Sequence, residues 1–129
     1  MEQQLTVTSG SHLWALLIGI DEYLHVTNLR GCVNDVEAMR VFLTDQLGVP
    51  EDHIRILANQ EATRANILQA FQELLIDNPA IQRGDQVLLH YSGHGSRMPD
   101  PLGVEPDGLN ETVVPHDSRS PDVYERHPR

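Results

Sequence analysis

An α/β fold, a mainly parallel sheet with helices packed on its faces, is what this sequence predicts, and three observations predict it. Apolar runs and helical periodicities alternate along 129 residues in the order strand, helix, strand, helix, strand. That order builds parallel sheets through right-handed crossovers. The first apolar run is continuous rather than alternating, as in a strand buried on both faces. Finally, the length and a hydrophobic fraction of 40% are enough for one domain with one core.

The elements follow in order. Leu13-Trp14-Ala15-Leu16-Leu17-Ile18-Gly19-Ile20 is the first strand, ended by Asp21-Glu22-Tyr23. Residues 24–31 read as a loop closed by Gly31. Asn34 or Asp35 is of the type that caps a helix. Behind them Val36, Met39, Phe42 and Leu43 recur at helical spacing to about Leu47, where Gly48 and Pro50 stop the run. Ile54 to Leu57 is a short strand. Thr63 caps a second helix whose buried stripe is Ile67, Ala70, Phe71, Leu74 and Leu75, ended by Asn78-Pro79. Val87 to His90 is the next strand. Residues 97–110, rich in Pro, Gly and Asp, read as loop, and Glu111 to Val114 as a brief strand. Polar composition marks 1–11 as a flexible leader and 119–129 as a tail, which leaves 12–118 as the folded domain.

Composition narrows the function classes. The formal charge is −10, from 19 acidic and 9 basic residues, and all nine are arginine. Such a balance argues against nucleic acid or an anionic membrane as partner. It suits cationic ligands, or solubility alone. Cys32 is the single cysteine, so no intrachain disulfide is expected. The leader lacks the basic and apolar regions of a signal peptide, and the run Leu13 to Ile18 is too short to span a bilayer. A cytoplasmic protein is the expectation.

The chemistry concentrates in Gly84-Asp85-Gln86-Val87-Leu88-Leu89-His90-Tyr91-Ser92-Gly93-His94-Gly95-Ser96. An apolar strand that runs into Ser-Gly-His-Gly puts His94 at the carboxyl edge of the sheet, where open α/β folds bind ligands. Imidazole, with an ordinary pKa of about 6.5, suits general acid–base work at neutral pH. The bland alternative is a histidine satisfied by backbone in a glycine-rich turn. A metal site would need His90, His116 and Cys32 as further ligands, and their spacing fits no familiar zinc pattern. Cys32, in Leu29-Arg30-Gly31-Cys32-Val33-Asn34-Asp35, is either a small buried apolar group or a thiol beside a helix amino terminus. Asp35 opposes thiolate formation there. No glycine-rich phosphate loop follows the first strand, and Asp21-Glu22 would repel phosphate, so nucleotide binding has no support.

Three segments together resemble a known family: Ala15-Leu16-Leu17-Ile18-Gly19-Ile20-Asp21-Glu22-Tyr23, Leu29-Arg30-Gly31-Cys32-Val33-Asn34-Asp35, and Leu89-His90-Tyr91-Ser92-Gly93-His94-Gly95-Ser96. A fourth, Asp107-Gly108-Leu109-Asn110-Glu111-Thr112-Val113-Val114-Pro115-His116-Asp117, follows at the family's distance. They resemble the large-subunit (p20) region of caspase-like cysteine proteases, peptidase family C14, closest to metacaspases and bacterial orthocaspases, over about residues 12–118.

The resemblance implies a caspase-like three-layer α/β/α fold, incomplete at its C-terminal side. It implies that His94 is the histidine of a Cys-His dyad and that the Gly95 amide donates to the oxyanion. Cys32, Asp35 and Ser92 match residues lining a pocket for arginine or lysine, with Asp35 pairing to the substrate cation. In caspase-like enzymes the nucleophilic cysteine follows the histidine by about 50 residues. That position lies beyond Arg129, so the expected partner is a C-terminal, small-subunit-like fragment carrying the cysteine, and this chain alone is expected to be inactive. No metal or other cofactor is required. Calcium, which metacaspases often bind through aspartates after the histidine, would meet Asn110, a neutral and weaker ligand for a hard cation. The expected function is an endopeptidase cutting polypeptides after Arg or Lys; the alternative is an inactive caspase-like recognition or assembly module, and Cys32 as a substitute nucleophile is the outside case.

Overall fold

The computed structural model describes residues 12–99 and 109–118. The expected leader and tail lie outside the described residues, as do residues 100–108 of the expected loop. β1 (Leu13–Gly19) is the middle of a three-stranded parallel sheet ordered β2-β1-β3, with β2 at Ile54–Ala58 and β3 at Gln86–Ser92. Trp14 through Gly19 are all buried, as the continuous apolar run requires. α1 (Cys32–Val41) continues through a π-helical turn at Phe42–Gln46, and α2 (Arg64–Phe71) through another at Gln72–Ile76.

Strand alternation sends β1 side chains to opposite faces, and each face meets a helix. Trp14, Leu16, Ile18 and Ile20 pack with Tyr23, Ala62, Ala70, Leu74 and Val114 on the α2 side. Ala15 and Leu17 pack with Val36, Leu43 and Val49 on the α1 side. The result is the expected caspase-like three-layer α/β/α arrangement. In register, Gly19 lies opposite both Ala58 and Ser92. The carboxyl ends of the three strands are therefore level, and the residues that follow them share one edge.

Two expectations about the elements differ from the structure, and Phe71, expected in the buried stripe of the second helix, is exposed. α1 begins at Cys32, ahead of Asn34 and Asp35. Gly31 precedes it in the left-handed region at φ 86°, with no side-chain cap of its own. The cap comes from elsewhere: the Asp21 carboxylate accepts the Cys32 amide at 2.8 Å and the Val33 amide at 3.2 Å. Thr63, by contrast, caps α2 as expected and accepts the Asn66 amide at 3.2 Å. The second difference is a hairpin where loop was expected. β4 (Gly95–Pro99) pairs antiparallel with β5 (Leu109–Val113), Gly95 opposite Val113 and Pro99 opposite Leu109. Gly, Ser, Arg and Pro have little intrinsic strand preference, so pairing rather than composition makes this element.

Candidate active site

Asp21 organises the sheet edge. It directly follows the buried run of β1 and caps α1. Asn59, just past β2, holds Asp21 in turn: its Oδ1 accepts the amides of Asp21 at 2.9 Å and Glu22 at 3.1 Å. Asn59 does so with φ 51°, a left-handed conformation that asparagine tolerates better than most residues. Burial works against the Asp21 carboxylate, but the Cys32 and Val33 amides outweigh it and hold its pKa below the ordinary 3.8.

Three residues singled out in the sequence meet beside this cap. Ser92, the last residue of β3, donates its hydroxyl to Asp35 Oδ2 at 3.0 Å. The Cys32 thiol, itself buried, interacts with both the Ser92 and Asp21 side chains. Burial pushes that thiol up; the Ser92 hydrogen bond offsets part of this, and the Asp21 and Asp35 carboxylates each add a smaller upward push. The thiol form is therefore favoured, which suits a pocket wall and not a nucleophile. Asp35 is exposed in the first turn of α1. An exposed carboxylate oriented by a hydroxyl can take a cationic group.

His94 and Gly95 stand on the same edge, just beyond Ser92. His94 Nε2 lies 2.7 Å from the Thr27 carbonyl. A carbonyl only accepts, so Nε2 carries the proton and the basic lone pair of the neutral ring is on Nδ1. The Tyr23 ring packs against the imidazole at 4.9 Å between centroids and 55°. Val26, Thr27, His94, Gly95 and Val114 line a cleft of about 290 Å³, which shares no lining residue with the Cys32, Asp35, Ser92 group. The edge thus presents an oriented base, a strand-start amide at Gly95 and an adjacent acidic group.

The metal reading finds no support in the geometry. Among the described residues, no three His, Cys, Asp or Glu side chains are arranged to hold a metal ion. His116 is a tie between loops: its Nδ1 donates to the Glu22 carbonyl at 2.7 Å and its amide to the Ala62 carbonyl at 2.9 Å. His90 Nε2 is buried without a partner. Asn110 sits in β5, and its side chain is outside the described residues. No helix among the described residues is long and apolar enough to cross a membrane.

The residues that sequence reasoning missed are Asp21, Tyr23, Asn59 and Tyr91. Only Asp21 carried a signal, a charge placed immediately after a strand buried on both faces.

Comparison with known proteins agrees with this geometry. The family model of the metacaspase peptidase C14 domain matches residues 14–124. Metacaspase-1B of Aspergillus oryzae is 41% identical over 112 residues, 82% of this chain and 26% of its own length. Metacaspase-6 of Arabidopsis thaliana is 42% identical over 109 residues, 80% of this chain and 29% of its own length. Among solved structures, a protein of Geobacter sulfurreducens matches with a TM-score of 0.61 and 30% identity, over 81% of this chain and 39% of that one. The chain spans little more than a quarter of the length of the curated metacaspases it matches.

Proposed function

This chain belongs to the metacaspase family, peptidase family C14, and on that premise we propose that it is the histidine-bearing part of a cysteine endopeptidase that cuts polypeptides after arginine or lysine. The observation that carries the reading is the His94–Thr27 contact beside the Ser92–Asp35 pair. With its proton on Nε2 held by a carbonyl, His94 keeps Nδ1 ready to accept a proton from a thiol.

The sequence of steps is that of acyl transfer. A cysteine thiol, supplied by a segment outside this chain, gives its proton to His94 Nδ1. Its sulfur attacks the scissile carbonyl, and the oxyanion that forms accepts a hydrogen bond from the Gly95 amide. His94 returns the proton to the leaving amine as the C–N bond breaks. Water, deprotonated by the same imidazole, then hydrolyses the thioester and restores the thiol. Asp35, held by Ser92 and walled by Cys32, pairs with the guanidinium or ammonium of the residue before the cut. Cys32 takes no part as nucleophile, since its burial and two neighbouring carboxylates favour the thiol.

The segment with the cysteine has a place to bind. Among the described residues β3 is an edge strand, bonded only to β1, and its Val87 and Leu89 are exposed. An apolar strand with a free ladder edge accepts another strand.

The test compares hydrolysis of arginyl and lysyl peptides by this chain alone and by the longer protein that includes the cysteine. The chain alone is expected to show none. In the longer protein, His94→Ala is expected to lower kcat by about 10²–10⁴-fold, the usual worth of a general acid–base. Asp35→Asn should lower kcat/KM for arginyl peptides by about 10–100-fold, the cost of leaving a charge unpaired, and act mainly through KM. Retained activity in His94→Ala would refute the mechanism. Peptide binding without turnover in the longer protein would establish the recognition module instead.

A further inference from the structure

The least explained feature of the site is what fixes the His94 peptide. His94 lies between two strands, and the imidazole contact to Thr27 constrains only the ring. Its backbone is held by two tyrosines, Tyr91 three residues before it and Tyr23 far away in sequence. The His94 amide donates to Tyr23 Oη at 2.8 Å, and the Tyr91 hydroxyl donates to the His94 carbonyl at 2.6 Å. The two phenol oxygens are 3.3 Å apart. The Tyr91 hydroxyl has two carbonyls in reach, His94 at 2.6 Å and Val114 at 3.1 Å; its one proton goes to the nearer, so the proton between the phenols belongs to Tyr23. The hydrogen bonds then form a closed ring: His94 N–H to Tyr23, Tyr23 to Tyr91, Tyr91 to His94 C=O.

The surroundings fit such a ring. The Val114 amide approaches Tyr91 Oη at 3.3 Å and the His94 carbonyl at 3.2 Å, so the strand that follows His94 is tied to the same oxygens. Tyr23 is buried in the α2-side core. Burial and the Tyr23 hydroxyl hold the Tyr91 phenol well above its ordinary pKa, so it stays a donor. Gly93 leaves the space: a Cβ there would lie 2.6 Å from both phenol oxygens.

We propose that Tyr23 and Tyr91 are positioning residues for His94, their hydroxyls closing a hydrogen-bonded ring on the histidine's own peptide so that the imidazole and the Gly95 amide keep one orientation. The role in turnover rests on the function proposed above; the ring itself does not. A ring of this kind is cooperative, since each bond polarises the next, and removing either hydroxyl opens all of it.

Two measurements test the proposal. The first follows hydrogen exchange of the His94 amide in this chain by NMR. Tyr91→Phe does not touch that amide directly, yet it is expected to speed exchange about tenfold, one buried hydrogen bond's worth. Unchanged exchange would overturn the ring. The second measures kinetics in the longer protein that includes the cysteine. Tyr23→Phe and Tyr91→Phe should each lower kcat about tenfold with KM little changed, and the double variant should be little worse than either single. Wild-type kcat in the single variants, or effects that multiply, would overturn the positioning role. Should a Phe variant fold poorly, Gly93→Ala reports instead. Its penalty on kcat should shrink when Tyr23 is also Phe, because one clashing oxygen is gone, and an equal penalty in both backgrounds would overturn the proposal. If His94→Ala kept full activity, the proposed function would fail while the exchange result still decided the ring.

Discussion

Asp21 does the work of a helix cap from another element, which makes its charge a measurable quantity. Its carboxylate meets the two leading amides of α1, where the positive end of the helix dipole lies. Asp21→Asn keeps the shape and removes the charge. It is expected to lower unfolding free energy by about 1 kcal/mol at neutral pH, the usual worth of a cap, read from the urea midpoint. The sign of the pH dependence follows from its depressed pKa. The folded chain holds the Asp21 proton less tightly than the unfolded chain, whose value is near 3.8. The stabilisation is therefore complete above that value and is lost as pH falls through the lower folded pKa. Wild type and Asp21→Asn should differ at neutral pH and converge in acid; a constant difference would mean that the charge contributes nothing. As candidates, His94, Cys32, Asp35 and Ser92 stood out in the sequence because each sits in a short contiguous motif. The roles of Asp21, Tyr23 and Tyr91 did not, because they depend on distant partners: Tyr23 lies 71 residues from His94 and 68 from Tyr91, and no local spacing encodes such a meeting.

The contact of α1 with β1 depends on a missing side chain. A Cβ on Gly19 would lie 2.7 Å from Val36 Cγ2, 2.9 Å from the Cys32 carbonyl and 3.2 Å from Val33 Cα. Two of those atoms are helix backbone, and Val36 is fully buried, so the helix has to move as a body. Gly19→Ala is expected to destabilise by about 1–3 kcal/mol, as overpacking does, and to displace Cys32 and Asp35 together. Denaturant unfolding checks the first effect. A rise in KM for arginyl peptides in the longer protein, with lysyl peptides affected alike, checks the second. Among the elements, β1, α1, β2, α2 and β3 were all legible, since apolar period and stop residues mark each of them. The start of α1 was misplaced because its cap is a tertiary contact. The brief strand at Glu111 to Val114 was legible and overlaps β5, but β4 and its pairing were not, because Gly95–Pro99 carries no apolar pattern and is specified by its partner.

For the molecule as a whole, the α/β class was readable from the order of elements and the resemblance implied a fold incomplete at its C-terminal side, but which strand is left at the edge was not readable. Gln86-Val87-Leu88-Leu89 looks like the buried run of β1, and burial depends on strand order, which local pattern does not contain. β1 is central and its side chains from Trp14 to Ile18 are at most 7% exposed, whereas Val87 and Leu89 in terminal β3 are 55% and 53% exposed. In register they lie opposite Trp14 and Leu16, so both face the α2 side and stay half exposed there. If the cysteine-bearing segment docks there, the two residues should matter to assembly and not to the fold of this chain. Leu89→Lys is a surface change here and should alter the stability of the isolated chain by no more than about 0.5 kcal/mol. In assembly it forfeits about 1 kcal/mol from the exposed half of the leucine and adds the cost of covering a charge. Titrating this chain with a separately expressed segment carrying the cysteine should then require about tenfold more segment, or greater, for half-maximal arginyl-peptide hydrolysis. Equal titration curves for wild type and Leu89→Lys, with equal melting temperatures, would place the docking surface elsewhere. An early melt of Leu89→Lys alone would instead show that β3 is already covered within this chain.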